Sequence, residues 1–506
     1  MIDSLPPPRP RRSPVPVGVS GFALRLPPYR VLLDDWCDWT GASADKIRST
    51  VGRSFRVLGP LQNLYTLAAG AVLELIVRYD VDPRTVGYLA LGTESSSDNS
   101  AGAIIVKGMV DRALERLGRP RISRHCEVPE LKHACLGGVY ALKGALRYLA
   151  TDGAGRRAIA VSADVAEYER GSSGEPTQGA GAVAQLVEEN PKLYEVDLRE
   201  AASAAAYRGV DFRKPHGRRL SAAPPPGATR LPDYPVFNGK YSTICYTDEA
   251  LHAVARLLRK IGLTARELFH RMDAAFFHRP YHRLTVNVLA ALYVWGLTRD
   301  PDHHPELAEL CAECGAEMET VLREAEGHPD LFRDGELGEE INREVYPEAM
   351  KVVKHFRRTK KFREVEARKI RLGADAMRDL GNLYTASLPA WIAAGFEEGL
   401  SRELDLGGKA FLTVGYGSGD AAEAGIIRVA EEWREAAARI GFADSCKGAI
   451  DLGREQYEAL HDGRREPCPA RELENEFVVD RVGDRCDPEF CDRGIEYTRY
   501  VPAGNR

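Results

Sequence analysis

At 506 residues the chain is long enough for two or three domains of ordinary size, or for one large duplicated fold. Its composition, 44% hydrophobic and 28% charged, is that of a soluble globular protein, and no apolar run approaches the roughly 18 residues of a membrane span. A formal net charge of -5 gives no general attraction to nucleic acid or anionic membrane.

The opening MIDSLPPPRPRRSPVPVG (1–18) has Pro and Arg but no apolar core, so it reads as a flexible leader and not as a secretory signal. YLALGT (88–93) is a short apolar run that stops in the polar GTESSSDNS (92–100). An amphipathic helical stretch follows, AGAIIVKGMVDRALERLG, and then LKHACLGGVY (131–140), which leads into the helical VYALKGALRYLA. RAIAVSADVAEY (157–168) and GAVAQLVEE (181–189) look like buried strands. Residues 214–235 form a Pro- and Gly-rich loop, and DEALHAVARLLRKIG is again helical. AAFFHRPY (274–281) and KAFLTVGYGSG (409–419) are strand-like; residues 299–345 are a charged helical insert; residues 462–492 are charged and loop-like. Alternation of this kind predicts an α/β protein with helices on the sheet faces and its chemistry at strand ends.

Ten cysteines spread over the whole length suit a reducing compartment better than a disulfide framework. CAEC (311–314) and the trio Cys468, Cys486 and Cys491 have ligand-type side chains, but CAEC lies in a helical pattern without a second pair at zinc spacing, and no metal is assigned. The basic cluster KHFRRTKKFR (354–363) is either a solvated helix face or a phosphate-binding surface. The acidic balance and the lack of a nucleic-acid module exclude nucleic acid as the expected partner.

Four stretches could carry chemistry. Cys135 precedes two glycines and a helix; a helix N-terminus lowers a thiol pKa, and glycines would let a substrate approach the backbone, yet a small buried inert cysteine has the same local pattern. Glu94 ends a strand among hydroxyl residues, as a base facing a cleft or as a plain loop glutamate. His278 ends an apolar run, as a proton shuttle or carbonyl donor or as a satisfied core histidine. Asn382 in GNLYTASL and the glycine turn around Ser418 in VGYGSGDAAEAG could offer an amide and backbone N–H groups to an oxyanion.

Taken together and in order, GTE, KHACLGG, SADVAEYERGSSGEPTQGAGAVA, VDFRKP, DYPVFNGKYS, FHRPYHRL, GNLYTASL and GYGSG resemble the hydroxymethylglutaryl-CoA synthases of the thiolase-like superfamily, GEPTQGAGAVA especially its bacterial members. The resemblance implies a layered αβαβα fold of two similar halves, here residues 19–190 with Glu94 and Cys135, and 191–506 with His278, Asn382 and Ser418. It implies that Cys135 takes an acetyl group from acetyl-CoA, that Glu94 is the general acid/base, and that His278 holds the ketone oxygen of acetoacetyl-CoA. Thr177, Phe212, Ser242, Asn382 and Ser418 match substrate-lining positions, and Lys46 and Arg283 match coenzyme-binding ones. In the histidine motif the family's lysine is Arg283 here, and a second lysine is Asn287; in SADKIRSTVGRSFR (43–56) the family's Gln is replaced. The implied reaction joins acetyl-CoA, acetoacetyl-CoA and water into 3-hydroxy-3-methylglutaryl-CoA for isoprenoid supply, with coenzyme A thioesters as substrates and no further cofactor. A cytoplasmic homodimer is expected. Two alternatives remain: a synthase that adds a β-branch to a polyketide on an acyl carrier protein, and a non-enzymatic scaffold for a thiolase partner.

Overall fold

The computed structural model describes residues 15–214, 234–327 and 345–504. Most of the expected leader, most of the 214–235 loop and the last part of the 299–345 insert lie outside them. Nine strands form one mixed sheet: β1 (Val17–Arg25), β2 (Val86–Gly92), β3 (Glu130–Leu131), β4 (Arg157–Ala166), β5 (Gly179–Glu189), β6 (Tyr194–Ala205), β7 (Ala274–Phe277), β8 (Ala410–Gly417) and β9 (Ala421–Val429). Val17 and Gly18, expected in the leader, already pair with Glu189 and Glu188, because the apolar run VGVSGFAL needs a sheet neighbour.

The order across the sheet is β7-β8-β9-β6-β1-β5-β4-β2-β3. Counted outward from the centre, β1-β5-β4-β2 on one side mirrors β6-β9-β8-β7 on the other. On each side the first two pairings are antiparallel and the third is parallel. The two sides pair with each other through Gly18 with Glu195 and Val19 with Tyr194. A repeated connectivity of this kind is a duplicated unit, and strands buried on both faces read as continuous apolar runs, as in LALG and AIAVSA.

Helices cover both faces and fill the middle. α1 (Leu64–Arg78) packs on β1, β4 and β5 and against α2 (Gly102–Arg116). It starts at a capping box in which the Asn63 side chain accepts from Thr66 N at 2.9 Å and Thr66 Oγ1 accepts from Asn63 N at 3.0 Å. On the other side α4 (Gly239–Ile261) packs on β6, β8 and β9 and touches α5 (His282–Thr298). Between them lie α3 (Gly137–Leu149), which packs on β2 and β4, and α6 (Ser387–Ser401), which packs on β7. A Cβ added to Gly415 of β8 would lie 2.8 Å from Leu136, 3.0 Å from Val139 and 3.7 Å from Leu388, so this middle layer is pressed onto the second half as well. The result is five layers, αβαβα.

A largely buried ion pair helps tie the halves. Lys143 on α3 meets Glu423 on β9 at 2.6 Å, both side chains largely buried, and Ser203 Oγ donates to the same carboxylate at 2.6 Å. Residues 462–492, expected to be loop-like, contain the strand Glu476–Val482 paired with Glu496–Val501. Its apolar Phe477, Val478 and Val479 are buried beneath a charged exterior, which hides the strand in a polar window. No helix among the described residues is long and apolar enough to cross a membrane.

Candidate active site

Cys135 stands two residues before α3, half-buried, in a backbone held tightly on all sides. Ala134 immediately before it has φ +40°, a left-handed conformation that costs a residue with a Cβ. Gly138 N donates to Thr385 Oγ1 at 2.5 Å. A Cβ on Gly138 would meet Ser162 Oγ at 2.0 Å, and one on Gly92 would meet Gly138 N at 2.3 Å. The glycines after the cysteine therefore let the helix approach the ends of β2 and β4, which corrects the expectation that they make room for substrate.

The expected lowering of the thiol pKa is also corrected. Burial pushes the Cys135 thiol well above its ordinary range, and the nearby carboxylates of Glu94 and Asp164 push it further, against the opposing charge of Lys214. The helix terminus is real, but burial, with the carboxylates second, outweighs it. At rest Cys135 is a thiol.

Glu94 follows β2. Its backbone N–H donates to Asp164 Oδ1 at 2.9 Å, and its carboxylate meets Lys214 Nζ at 3.4 Å, both side chains largely buried. Asp164, fully buried on β4, is the hub of this corner. Its Oδ1 also accepts from Thr93 Oγ1 at 2.9 Å, Ser95 N at 3.1 Å and Ser95 Oγ at 2.8 Å, and its Oδ2 from Thr385 N at 3.0 Å. One carboxylate thus fixes the Glu94 loop of the first half to the Asn382 loop of the second. Burial raises its pKa to about 6 while the hydrogen bonds from Glu94 and Thr385 oppose the rise.

Aromatic rings wall the thiol. Cys135 and Phe212 pack against Ala166, Tyr168 and Tyr384, with Phe237 beside them. Phe212 meets Tyr384 edge-on at 6.0 Å, and Lys214 lies over the Tyr384 ring at 5.3 Å. Asn382 is buried behind this wall; its Oδ1 accepts from Tyr384 N at 2.8 Å, and its backbone N–H donates to the Thr177 carbonyl at 2.9 Å. The Thr177 hydroxyl is occupied by the Gly174 carbonyl at 2.7 Å.

His278 leaves the end of β7, which pairs in parallel with β8. The imidazole is buried, its pKa is pushed down to about 3 by that burial, and its Nδ1 has no hydrogen-bond partner among the described residues. It is a neutral ring that can donate one hydrogen bond. Tyr246 links it to the thiol: the ring lies 6.1 Å from His278, its hydroxyl donates to the His278 carbonyl at 2.8 Å, and its ionisation is opposed by Cys135.

The Ser418 turn sits against the cysteine loop. A Cβ on Gly417 would meet the His133 carbonyl at 2.6 Å and Leu136 Cβ at 2.8 Å. The Gly419 N–H is taken by the Asp420 carboxylate, so it is not an open oxyanion donor as it stands. Tyr416 Oη lies 2.7 Å from Asp420 and 3.1 Å from Asp211. Burial and the facing Asp211 raise the Asp420 pKa to about 9, so Asp420 keeps its proton near neutrality. Asp211 also receives Ser242 Oγ on its carbonyl at 3.2 Å, which joins Ser242 to the segment that carries Phe212.

Lys46 and Arg283 are exposed. They stand on neighbouring helices: Ala44–Thr50 packs on α5, and His282 N donates to the Val51 carbonyl at 3.2 Å. The basic cluster reaches the same region, since Arg357 donates to Asn287 Oδ1 on α5. Part of that cluster is already engaged, Lys361 in an ion pair with Glu306 at 2.7 Å and His355 Nε2 with the Glu313 carboxylate at 2.7 Å. Cys468 packs with Tyr29 and its neighbours, apart from Cys486 and Cys491.

Asp164, Lys214, Tyr246 and Tyr384 were not singled out from sequence. An aspartate inside the otherwise apolar AIAVSADVA was a usable signal for the first. The others lie in motifs that did draw attention, but their roles depend on contacts between distant segments.

Comparison with known proteins follows the same lines. The model of the hydroxymethylglutaryl-coenzyme A synthase N-terminal region matches residues 13–192. Over 403 residues the chain is 28% identical to the hydroxymethylglutaryl-CoA synthase of Haloferax volcanii, covering 79% of this chain and 80% of that one. Over 422 residues it is 27% identical to hydroxymethylglutaryl-CoA synthase A of Dictyostelium discoideum, covering 82% and 76%. Two solved structures share the thiolase-like fold. MvaS in complex with 3-hydroxy-3-methylglutaryl coenzyme A has TM-score 0.74 and 23% identity, with 96% of this chain and 99% of that chain covered. The curacin biosynthetic pathway HMG synthase in complex with holo donor-ACP has TM-score 0.67 and 17% identity, with 96% and 100% covered. The ordered motifs, the duplicated sheet and these relatives agree: over most of its length the chain is similar to hydroxymethylglutaryl-CoA synthases.

Proposed function

We propose that the protein condenses acetyl-CoA with acetoacetyl-CoA and water to give 3-hydroxy-3-methylglutaryl-CoA and free CoA. The observation that supports this reading is a thiol packed against Tyr168 and Tyr384 and raised by the nearby Glu94 carboxylate of the first half, with the buried neutral imidazole of His278 from the second half packed on Tyr246.

The steps follow from the environments. Cys135 attacks the acetyl-CoA carbonyl, its proton leaves with the departing coenzyme thiol, and an acetyl-cysteine forms. Because the resting thiol is protonated, transfer waits for the thioester to fill the pocket, which limits side reactions of a bare thiolate. Glu94 then removes a methyl proton, and the resulting carbanion attacks the ketone carbon of acetoacetyl-CoA. His278 donates to the ketone oxygen as it gains charge; with a pKa about 3 the ring acts as a neutral donor across the physiological range. The proton on Glu94 goes to the new alkoxide. Water cleaves the Cys135 thioester, which frees the acid and restores the thiol.

Thr177, Phe212, Ser242, Asn382 and Ser418 shape the pocket in this reading, and Lys46 and Arg283 meet the coenzyme. The protein works as a cytoplasmic homodimer in isoprenoid supply, built as a first half to residue 190 and a second from residue 191. The test is to supply the acetoacetyl group on CoA and, separately, on an acyl carrier protein. Turnover is expected with CoA; turnover with the carrier alone contradicts the proposal and favours a β-branching synthase.

A further inference from the structure

The hairpin 484–494 is a two-stranded sheet of its own, set between the paired strands Glu476–Val482 and Glu496–Val501. It carries two cysteines that the proposed chemistry does not use. Cys486 and Cys491 are directly opposite partners in antiparallel pairing, followed inward by Asp487 opposite Phe490. Asp492 N donates to the Arg485 carbonyl at 2.9 Å, so the pair just outside the cysteines is hydrogen-bonded. Alternation along an antiparallel ladder then makes Cys486 and Cys491 a non-hydrogen-bonded pair, the register in which facing side chains come closest. Their Sγ atoms are 3.0 Å apart, and both residues are exposed, while the other eight cysteines are buried or half-buried.

The hairpin holds this geometry independently of the sulfurs. The Asp487 side chain accepts from Glu489 N at 3.0 Å and from Phe490 N at 3.1 Å, which closes the turn. At the base, the Asp492 side chain accepts from Arg485 N at 3.0 Å and from Tyr497 Oη at 2.9 Å. Two thiols are thus presented to solvent on a frame that needs little movement to join them. A metal is a poor fit, since among the described residues no third His, Cys, Asp or Glu completes a cluster.

We propose that Cys486 and Cys491 are a surface dithiol that closes reversibly into an intrachain disulfide by exchange with a small-molecule disulfide of the glutathione type. Cys491 is taken as the attacking sulfur: with the Cys486 sulfur 3.0 Å away and the Arg493 N–H beside it, its pKa is held below the ordinary thiol range. Its thiolate attacks one sulfur of the oxidant, giving a mixed disulfide and one released thiol. Cys486 then loses its proton and attacks Cys491 Sγ, expelling the second thiol. Two protein thiols and one disulfide become one protein disulfide and two small thiols, with two electrons passing to the oxidant. The ring closed is short, so the bond constrains the unfolded chain less than a long-range staple would, which suits a reversible modification more than a structural one.

The experiment exposes the full-length reduced protein to glutathione disulfide, alkylates the remaining thiols with iodoacetamide, and maps the peptides by mass. In the wild type the segment bearing both cysteines is expected to lose two hydrogens, to escape alkylation, and to regain both thiols with reduced glutathione. Cys486→Ser is expected to trap glutathione on Cys491. Two alkylated cysteines after excess glutathione disulfide, or a mixed disulfide that persists in the wild type, overturns the proposal. So does a zinc ion that the reduced wild type retains through these sulfurs. The wild-type result decides without the variant.

Discussion

Cys135, Glu94, His278 and Asn382 are held among buried rings and hydrogen-bonded loops, whereas Lys46 and Arg283 stand exposed on two packed helices at the rim. In the interior each polar atom's environment sets its protonation: burial raises Cys135, lowers His278, and raises Asp164 against the donors that converge on it. At the rim solvent screens every charge, so position matters less than sign. In the proposed reaction, chemistry that depends on a defined proton inventory is assigned to the first region, and attraction of an anionic coenzyme to the second.

This contrast breaks most sharply at Glu94. Glu94→Gln is expected to lower turnover by on the order of 10²- to 10⁴-fold, the usual worth of a positioned acid/base, while a single burst of coenzyme release from acetyl-CoA survives. Rapid-quench measurement of that burst checks it; equal loss of burst and turnover would move Glu94 out of the condensation step. His278→Ala is expected to cost roughly 10²- to 10³-fold in kcat, as for one oxyanion donor. The wild-type pH profile should show no titration of His278 near 6.5, since its pKa lies about 3.

Asp164 gives an intermediate effect with a defined sign. Its pKa in the fold is about 6, above the ordinary 3.8, so its ionised form is disfavoured by folding. Its contribution to stability therefore falls as pH rises from the ordinary value to about 6, while the acceptor that organises Glu94 and Thr385 appears over the same interval. Activity is expected to rise through about pH 6, and Asp164→Asn to flatten the pH dependence of melting in that window. Parallel melting curves for wild type and variant would contradict the assignment. At the rim, Arg283→Ala is expected to raise KM for the thioesters by a few-fold, about the 0.2–1 kcal/mol of an exposed charge contact, and to weaken the salt dependence of kcat/KM without changing kcat. A kcat loss as large as that of His278→Ala would erase the distinction between rim and interior.

What could be read from the chain follows the same division. Buried strands announce themselves as unbroken apolar runs, and β2, β4, β7 and β8 lie within a few residues of the expected segments. The glutamate and histidine stand out because each ends such a run, and the cysteine because it precedes two glycines and a helix. The protonation of Cys135 could not be read, because α3 is visible in the sequence while the approach of Glu94, Asp164 and Asp211 to it is not. Lys214 follows Phe212 in a quoted motif, yet its pairing with Glu94 spans 120 residues of chain and arises only when the halves close. The strand at Glu476–Val482 was missed because only three of its residues are buried.

The central claim is that Cys135 carries the acyl group. Intact-protein and peptide mass spectrometry after incubation with acetyl-CoA alone tests it most directly. One acetyl group is expected, on Cys135, formed in wild type and in Glu94→Gln and absent from Cys135→Ala. Acetylation at another residue, or none in wild type, would contradict the mechanism.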